Sequence, residues 1–142
     1  MSMKEKKKSY IYIILEILLV VSLYLPWFGG DRFLQEIRGV DLSYTIGYFY
    51  VLIIVSCLGI FSTSETTRKI SIGALIGFLI LQIYKFFTWH YLTITGYMSL
   101  FVSFDLTYPE FYISLFICIV NIIVRIKEIN IWGSDDNNKS CF

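Results

Sequence analysis

The sequence predicts an all-α membrane protein: an antiparallel bundle of four transmembrane helices, both termini cytoplasmic, with a small extracytoplasmic loop cap. Three observations predict it. Hydrophobic residues make up 56% of the 142-residue chain and charged residues only 16%, against about 25% charged in soluble domains. Four apolar stretches recur at nearly even intervals, and basic residues collect at alternate ends of them. Helices are the expected form, because a helix satisfies its own backbone N–H and C=O groups within lipid.

The first stretch, Tyr10 to Phe28, follows Lys4, Lys6, Lys7 and Lys8. It superficially resembles a secretion signal, but it is long, contains Glu16 and ends in Leu25-Pro26-Trp27-Phe28 without a small-residue cleavage site. It reads as an uncleaved span. The second stretch, Tyr44 to Phe61, has Asp41 or Ser43 as candidate caps. A short polar link, Ser62 to Lys69, forces the third stretch, Ile70 to Trp89, back as the other arm of a hairpin. The fourth, Phe111 to Val124, is preceded by Thr107-Tyr108-Pro109-Glu110, which has capping-box spacing with proline in the first turn. These spans form a single domain over 1–132, and residues 133–142 read as a disordered cytoplasmic tail.

Charge sets the orientation. With the N-terminus inside, Lys4, Lys6, Lys7, Lys8, Arg68, Lys69, Arg125, Lys127 and Lys139 lie on the cytoplasmic side, and only Arg32, Arg38 and Lys85 on the outer side. Nine against three is a clear positive-inside bias. Trp27, Tyr44, Trp89, Tyr91 and Tyr108 are expected to form an aromatic belt at the outer face. The second outer loop, His90 to Thr107, is apolar for a loop. Its partial period-two alternation suits a small hairpin on the membrane face, or else an irregular interfacial segment. Phe101, Val102 and Phe104 must then lie on lipid, on the first loop around Phe33 and Leu34, or on a partner.

Glu16 is the most expensive residue in the chain. It sits roughly 12 Å along the first helix, where a carboxylate costs on the order of 2.5–3.5 kcal/mol. Asn121 and Arg125 share a face at i, i+4 on the last helix and fall at a similar depth, with Ser56 and Gly77 near that level. The cluster Glu16, Asn121 and Arg125 reads first as a structural clasp, and second as an ion or proton site. Gly73 and Gly77 form a small-xxx-small pattern for close helix packing, inside the bundle or between copies.

No metal site is expected. His90 lacks a ligand at metal spacing, and Cys57, Cys118 and Cys141 form neither a disulfide framework nor a C-x-x-C. No catalytic residue, cofactor or nucleophile motif emerges, and the basic residues form no nucleic-acid patch.

The run Ser22-Leu23-Tyr24-Leu25-Pro26-Trp27-Phe28, followed by a short loop and Gly39-x-Asp41-Leu42, resembles uncharacterised small bacterial tetraspan membrane proteins whose first helix ends in Leu-Pro-Trp. That resemblance implies the four-span architecture and a bacterial cell membrane, and carries no activity. The chain reads as a non-enzymatic accessory, partner-binding or immunity-type membrane subunit. Its partners would be the lipid bilayer and a membrane protein or further copies of itself, with Arg32, Arg38, Phe101 and Phe104 as partner-facing loop residues. The alternative is a homo-oligomeric channel or a small-solute or proton transporter that uses Glu16.

Overall fold

A computed structural model describes residues 3–29, 36–42, 46–62, 64–90 and 100–139. Among them are five α-helices: α1 (Met3–Leu23), α2 (Ile46–Phe61), α3 (Glu65–His90), α4 (Leu100–Asp105) and α5 (Pro109–Lys139). Strands β1 (Pro26–Phe28) and β2 (Ile37–Arg38) pair antiparallel, and a 3-10 turn covers Gly39–Asp41. The long helices close a ring of contacts: α1 packs on α2 and α5, and α3 packs on the same two. Two of the helical segments, Glu65–His90 and Pro109–Ile129, are long and apolar enough to cross a membrane; Tyr10–Leu23 and Gly47–Phe61 are apolar but shorter.

The first element departs from the sequence expectation at its end. A span to Phe28 was the natural reading of the apolar run, but α1 stops at Leu23. Proline at 26 disfavours helical geometry in the residue before it and offers no N–H to continue the ladder. Tyr24 N–H bonds to the Val21 carbonyl at 3.0 Å and Leu25 N–H to Ser22 at 3.3 Å, closing the last turn. The chain then becomes strand β1, with Pro26 opposite Arg38 and Phe28 opposite Ile37.

Trp27 and Trp89 therefore do not join an interfacial belt. Trp27 and Phe28 are fully buried and Trp89 nearly so, packed with Phe49 and Phe111. The Phe28 and Trp89 rings stack at 4.9 Å, and Trp27 meets Phe111 edge-on at 5.4 Å. Such pairs contribute about 0.5–1.5 kcal/mol each beyond the area they bury. Gly39 makes this plug possible, since a Cβ there would lie 3.0 Å from both the Leu23 carbonyl and the Trp27 ring. Tyr108 stays with the plug, its N–H bonded to the Trp27 carbonyl at 3.0 Å. Tyr44, Tyr91 and the candidate cap Ser43 lie outside the described residues. The carboxylate of Asp41, the other candidate cap, accepts from the Arg38 N–H at 2.9 Å.

The second arm of the expected hairpin is helical. Residues 91–99 lie outside the described set, and residues 100–105 form helix α4. The Leu106 N–H bonds to Val102 at 3.1 Å, and the Thr107 hydroxyl donates to the Ser103 carbonyl. That bond takes Thr107 out of the expected capping box: its hydroxyl closes α4 instead of opening α5. Pro109 does occupy the first turn of α5, where its missing N–H costs nothing.

Two further boundaries differ. α3 begins at Glu65, five residues before Ile70, with the Glu65 and Lys69 side chains paired at 2.6 Å across one helical turn. α5 continues past Val124 to Lys139, so residues 133–139 extend the helix where the sequence suggested a disordered tail. No proline interrupts that stretch, and the single Gly133 carries a penalty of only about 1 kcal/mol.

Candidate functional site

On each long helix the inward stripe carries polar residues among apolar ones. In α1, Tyr12, Glu16, Leu19 and Leu23 recur at spacings of four, three and four, so all face one way. In α5, Phe111, Ser114, Cys118, Asn121 and Arg125 do the same. Ser56 on α2 and Ser71 on α3 complete the set, placed level by the short turn between those helices. Glu16 is 4% exposed, Arg125 6%, and Ser56, Ser71 and Asn121 are sealed.

The geometry is a convergent network. Arg125 Nη2 lies 2.5 Å from Glu16 Oε1, and Asn121 Nδ2 donates to the same oxygen at 3.2 Å. The Ser56 hydroxyl donates to it as well. Arg125 Nε donates to Asn121 Oδ1 at 3.1 Å, so the amide bridges carboxylate and guanidinium. Arg125 Nη1 donates to the Ser56 carbonyl at 2.9 Å and to the Ser71 hydroxyl, which in turn donates to the Ser56 carbonyl at 2.9 Å. The Arg125 guanidinium also sits over the Tyr12 ring, 5.7 Å from its centroid. Glu16 Oε2 is buried and accepts no hydrogen bond among the described residues.

A second polar layer lies further along the helices. The Ser22 and Ser114 hydroxyls are 2.8 Å apart, and Gln82 Nε2 donates to Ser114 Oγ at 2.6 Å. Ser22 is tied to the aromatic plug, because its carbonyl accepts from Trp27 Nε1 at 2.8 Å. At the end of α3, His90 Nε2 lies 2.9 Å from Ser103 Oγ, both side chains fully buried.

Of the residues singled out by sequence, Glu16, Asn121 and Arg125 come together, joined by Ser56. Gly77 does not join them; it faces Leu52, 3.4 Å from where a Cβ would stand. Gly73 is exposed, with nothing within 4 Å of that position, so it seats no helix of this chain. The tight crossing lies instead at Gly59, where an added Cβ would overlap the Ser71 side chain. Arg38, Phe101 and Phe104 are exposed, and Arg32 lies outside the described residues.

Sequence reasoning missed Ser71, Tyr12 and the Ser22–Ser114–Gln82 layer. Ser71 carried a usable signal: Ser56 and Ser71 are nearly equidistant from the turn at Ser62–Ser64, so a hairpin puts them side by side.

Chemically, the Arg125 guanidinium faces the Glu16 carboxylate, with the hydroxyls and amide bridging them and with Glu128 close enough to act on both Arg125 and the Tyr12 hydroxyl. Among the described residues no three His, Cys, Asp or Glu side chains are grouped to hold a metal ion. A groove of about 370 Å³ opens between α1 and α2 beside Glu16, walled by Ile13, Ile17, Val20, Cys57, Ile60 and Phe61. Comparison with known proteins finds no matching family model, no similar curated protein and no similar solved structure.

Proposed function

We propose that this protein is a four-span integral membrane protein, with both termini cytoplasmic, that serves as a non-enzymatic, partner-binding accessory subunit of a cell membrane. One observation carries the membrane part of this reading: polar side chains gather in the interior beside the apolar core, while large apolar side chains cover the outer surface of the helices. Glu16, Ser56, Ser71, Gln82, Ser114, Asn121 and Arg125 face the interior, while Ile14, Ile54, Ile80 and Phe116 are 55%, 59%, 59% and 66% exposed. In the most apolar windows of α3 and α5, only 39% and 33% of residues are buried. A soluble core helix would hide its apolar side. Here lipid is the medium that fits the outer surface, and polar groups are kept where they satisfy each other.

The shorter helices are compatible with crossing. α1 is apolar over Tyr10–Leu23 and α2 over Gly47–Phe61, lengths of roughly 21 and 22 Å. The hydrocarbon core is about 30 Å thick. Local thinning of the bilayer absorbs the shortfall of both.

The accessory role rests on the chemistry of the cluster, which is spent on holding α1, α2, α3 and α5 together. The partner surface is then the loop-bearing end around Arg38 or the lateral helix faces. Native pull-down of the tagged chain from its own membranes, with mass spectrometry, tests this: one stoichiometric companion is expected, and a lone monomer at native expression would refute it. A single feature favours the transporter reading, namely the free lone pairs of Glu16 Oε2. Glu16-dependent flux in proteoliposomes would move that reading ahead.

A further inference from the structure

Helix α4 presents Leu100, Phe101 and Phe104 outward at 59%, 78% and 62% exposure. Phe101 and Phe104 are three residues apart and so share one side of the helix. This pose is fixed from behind. Ser103, on the opposite side, is fully buried against His90 Nε2 at 2.9 Å. The Leu106 carbonyl accepts from Gly29 N–H at 2.9 Å, and Thr107 forms a bridge with Phe28. Rolling α4 to hide the phenylalanines would break these bonds and expose Ser103, so the aromatic side cannot turn inward.

What lies beside those rings identifies what covers them. The Phe104 ring meets Phe86 edge-on at 5.0 Å, and Phe86 lies 6.4 Å from the ring of Tyr112, itself 41% exposed. Phe87 is exposed next to it. The aromatic side of α4 is therefore continuous with the lateral apolar surface of α3 and α5. At the same level Lys85 extends over the Tyr84 ring, 5.9 Å from its centroid, with a stem long enough to carry its amine to lipid phosphates. Asp105, the last residue of α4, is exposed.

We infer that α4 is an in-plane anchor, lying at the headgroup–acyl boundary of the leaflet at this end of the bundle, with Phe101 and Phe104 among the acyl chains. The occupant of this surface is lipid, which takes Phe101 and Phe104 out of the partner-facing set and leaves Arg32 and Arg38. The inference rests on the membrane reading above, and its test separates the two.

The full chain, with Cys57, Cys118 and Cys141 replaced by serine, carries one nitroxide at a time through Phe101→Cys, Phe104→Cys, Ile80→Cys or Arg38→Cys. It is reconstituted in bilayers of phosphatidylcholine and phosphatidylglycerol. Power-saturation electron paramagnetic resonance then compares relaxation by oxygen, which concentrates in lipid, with relaxation by a water-soluble nickel chelate. Labels at 101 and 104 should be relaxed more by oxygen than by nickel, at a depth between the shallow label at 38 and the deep label at 80. Nickel-dominated relaxation at 101 and 104, with oxygen dominating at 80, overturns the anchor and leaves the membrane reading standing. Nickel dominance at 80 overturns both. Protection of 101 from both reagents means that protein, either another copy or a partner, covers α4, and also overturns the proposal.

Discussion

Arg125 reaches three other helices at once: Glu16 on α1, Ser56 on α2 and Ser71 on α3. Removing one member of a buried ion pair strands the other charge, which costs about 3–5 kcal/mol. Arg125→Ala should therefore destabilise the protein by an amount in that range, read by unfolding in mixed micelles. Glu16→Gln should also destabilise, because the guanidinium loses its carboxylate while keeping its charge. The pair Glu16→Gln with Arg125→Met should cost clearly less than the sum of the single changes; additivity would show that the two side chains are not coupled. The exposed Glu65–Lys69 pair is the contrast. Lys69 holds the Glu65 carboxyl below its ordinary range, so any contribution is present above that range and is lost as pH falls through it. Full solvation of Glu65 makes the contribution negligible, and Glu65→Gln should leave the melting temperature unchanged. Glu16, Asn121 and Arg125 were legible in the sequence because charge at a countable depth demands a partner. Gln82, Ser114 and Ser22 were not, since uncharged polar groups are cheap enough to occur anywhere along a span.

Among the elements, the α2–α3 hairpin crosses most tightly at a glycine that the sequence reading did not pick out. Gly73-x-x-x-Gly77 has the spacing of a close crossing, yet nothing stands within 4 Å of a Cβ at Gly73, and the real crossing is Gly59 on Ser71. A spacing motif specifies a smooth helix face without specifying which face a neighbour uses. Gly59→Ala should push Ser71 off Arg125 and cost about 1–3 kcal/mol, the usual range for overpacking, with Ser71→Gly as a second-site rescue. Gly73→Ala should be neutral or stabilising by up to about 1 kcal/mol, since the helix gains propensity and nothing clashes. Thermal unfolding of the two alanine variants in the same detergent distinguishes them, and a large loss at Gly73 would point to a face shared between copies. α4 escaped the sequence reading for a related reason. Six residues are too few to tell period two from helical period, and what decides the case is non-local: the bonds from Ser103 to His90 and from Leu106 to Gly29.

At the scale of the whole molecule, two distributions have to agree if the chain crosses a bilayer four times. One is radial, with a polar network held inside an otherwise apolar core and large apolar side chains outside, and it is present in the fold. The other is axial, and it resides in the sequence: with Arg125 drawn into the interior by Glu16, eight basic residues remain toward one end of the apolar spans against three at the other. The ring order of the helices was not legible, because even spacing along the chain fixes alternation without fixing neighbours. That α1 touches both α2 and α5 follows from the polar stripe that ties Glu16 to Ser56 and to Arg125. The axial distribution yields the sharpest test of the orientation. In spheroplasts, an impermeant maleimide should label Arg38→Cys without lysis and label Cys141 only after lysis. The reverse pattern would invert the topology, and labelling of both before lysis would place the C-terminal ends of α1 and α5 on the same side, which the antiparallel pairing of Glu16 with Arg125 and Ser22 with Ser114 forbids. Replacing Lys4, Lys6, Lys7 and Lys8 with glutamine reduces the bias to four against three. If positive charge sets the orientation, part of the population should then expose Cys141 to the intact-cell reagent. An unchanged single orientation would mean that the hairpin of α2 and α3, with Arg68 and Lys69 at its tip, is sufficient to hold the topology.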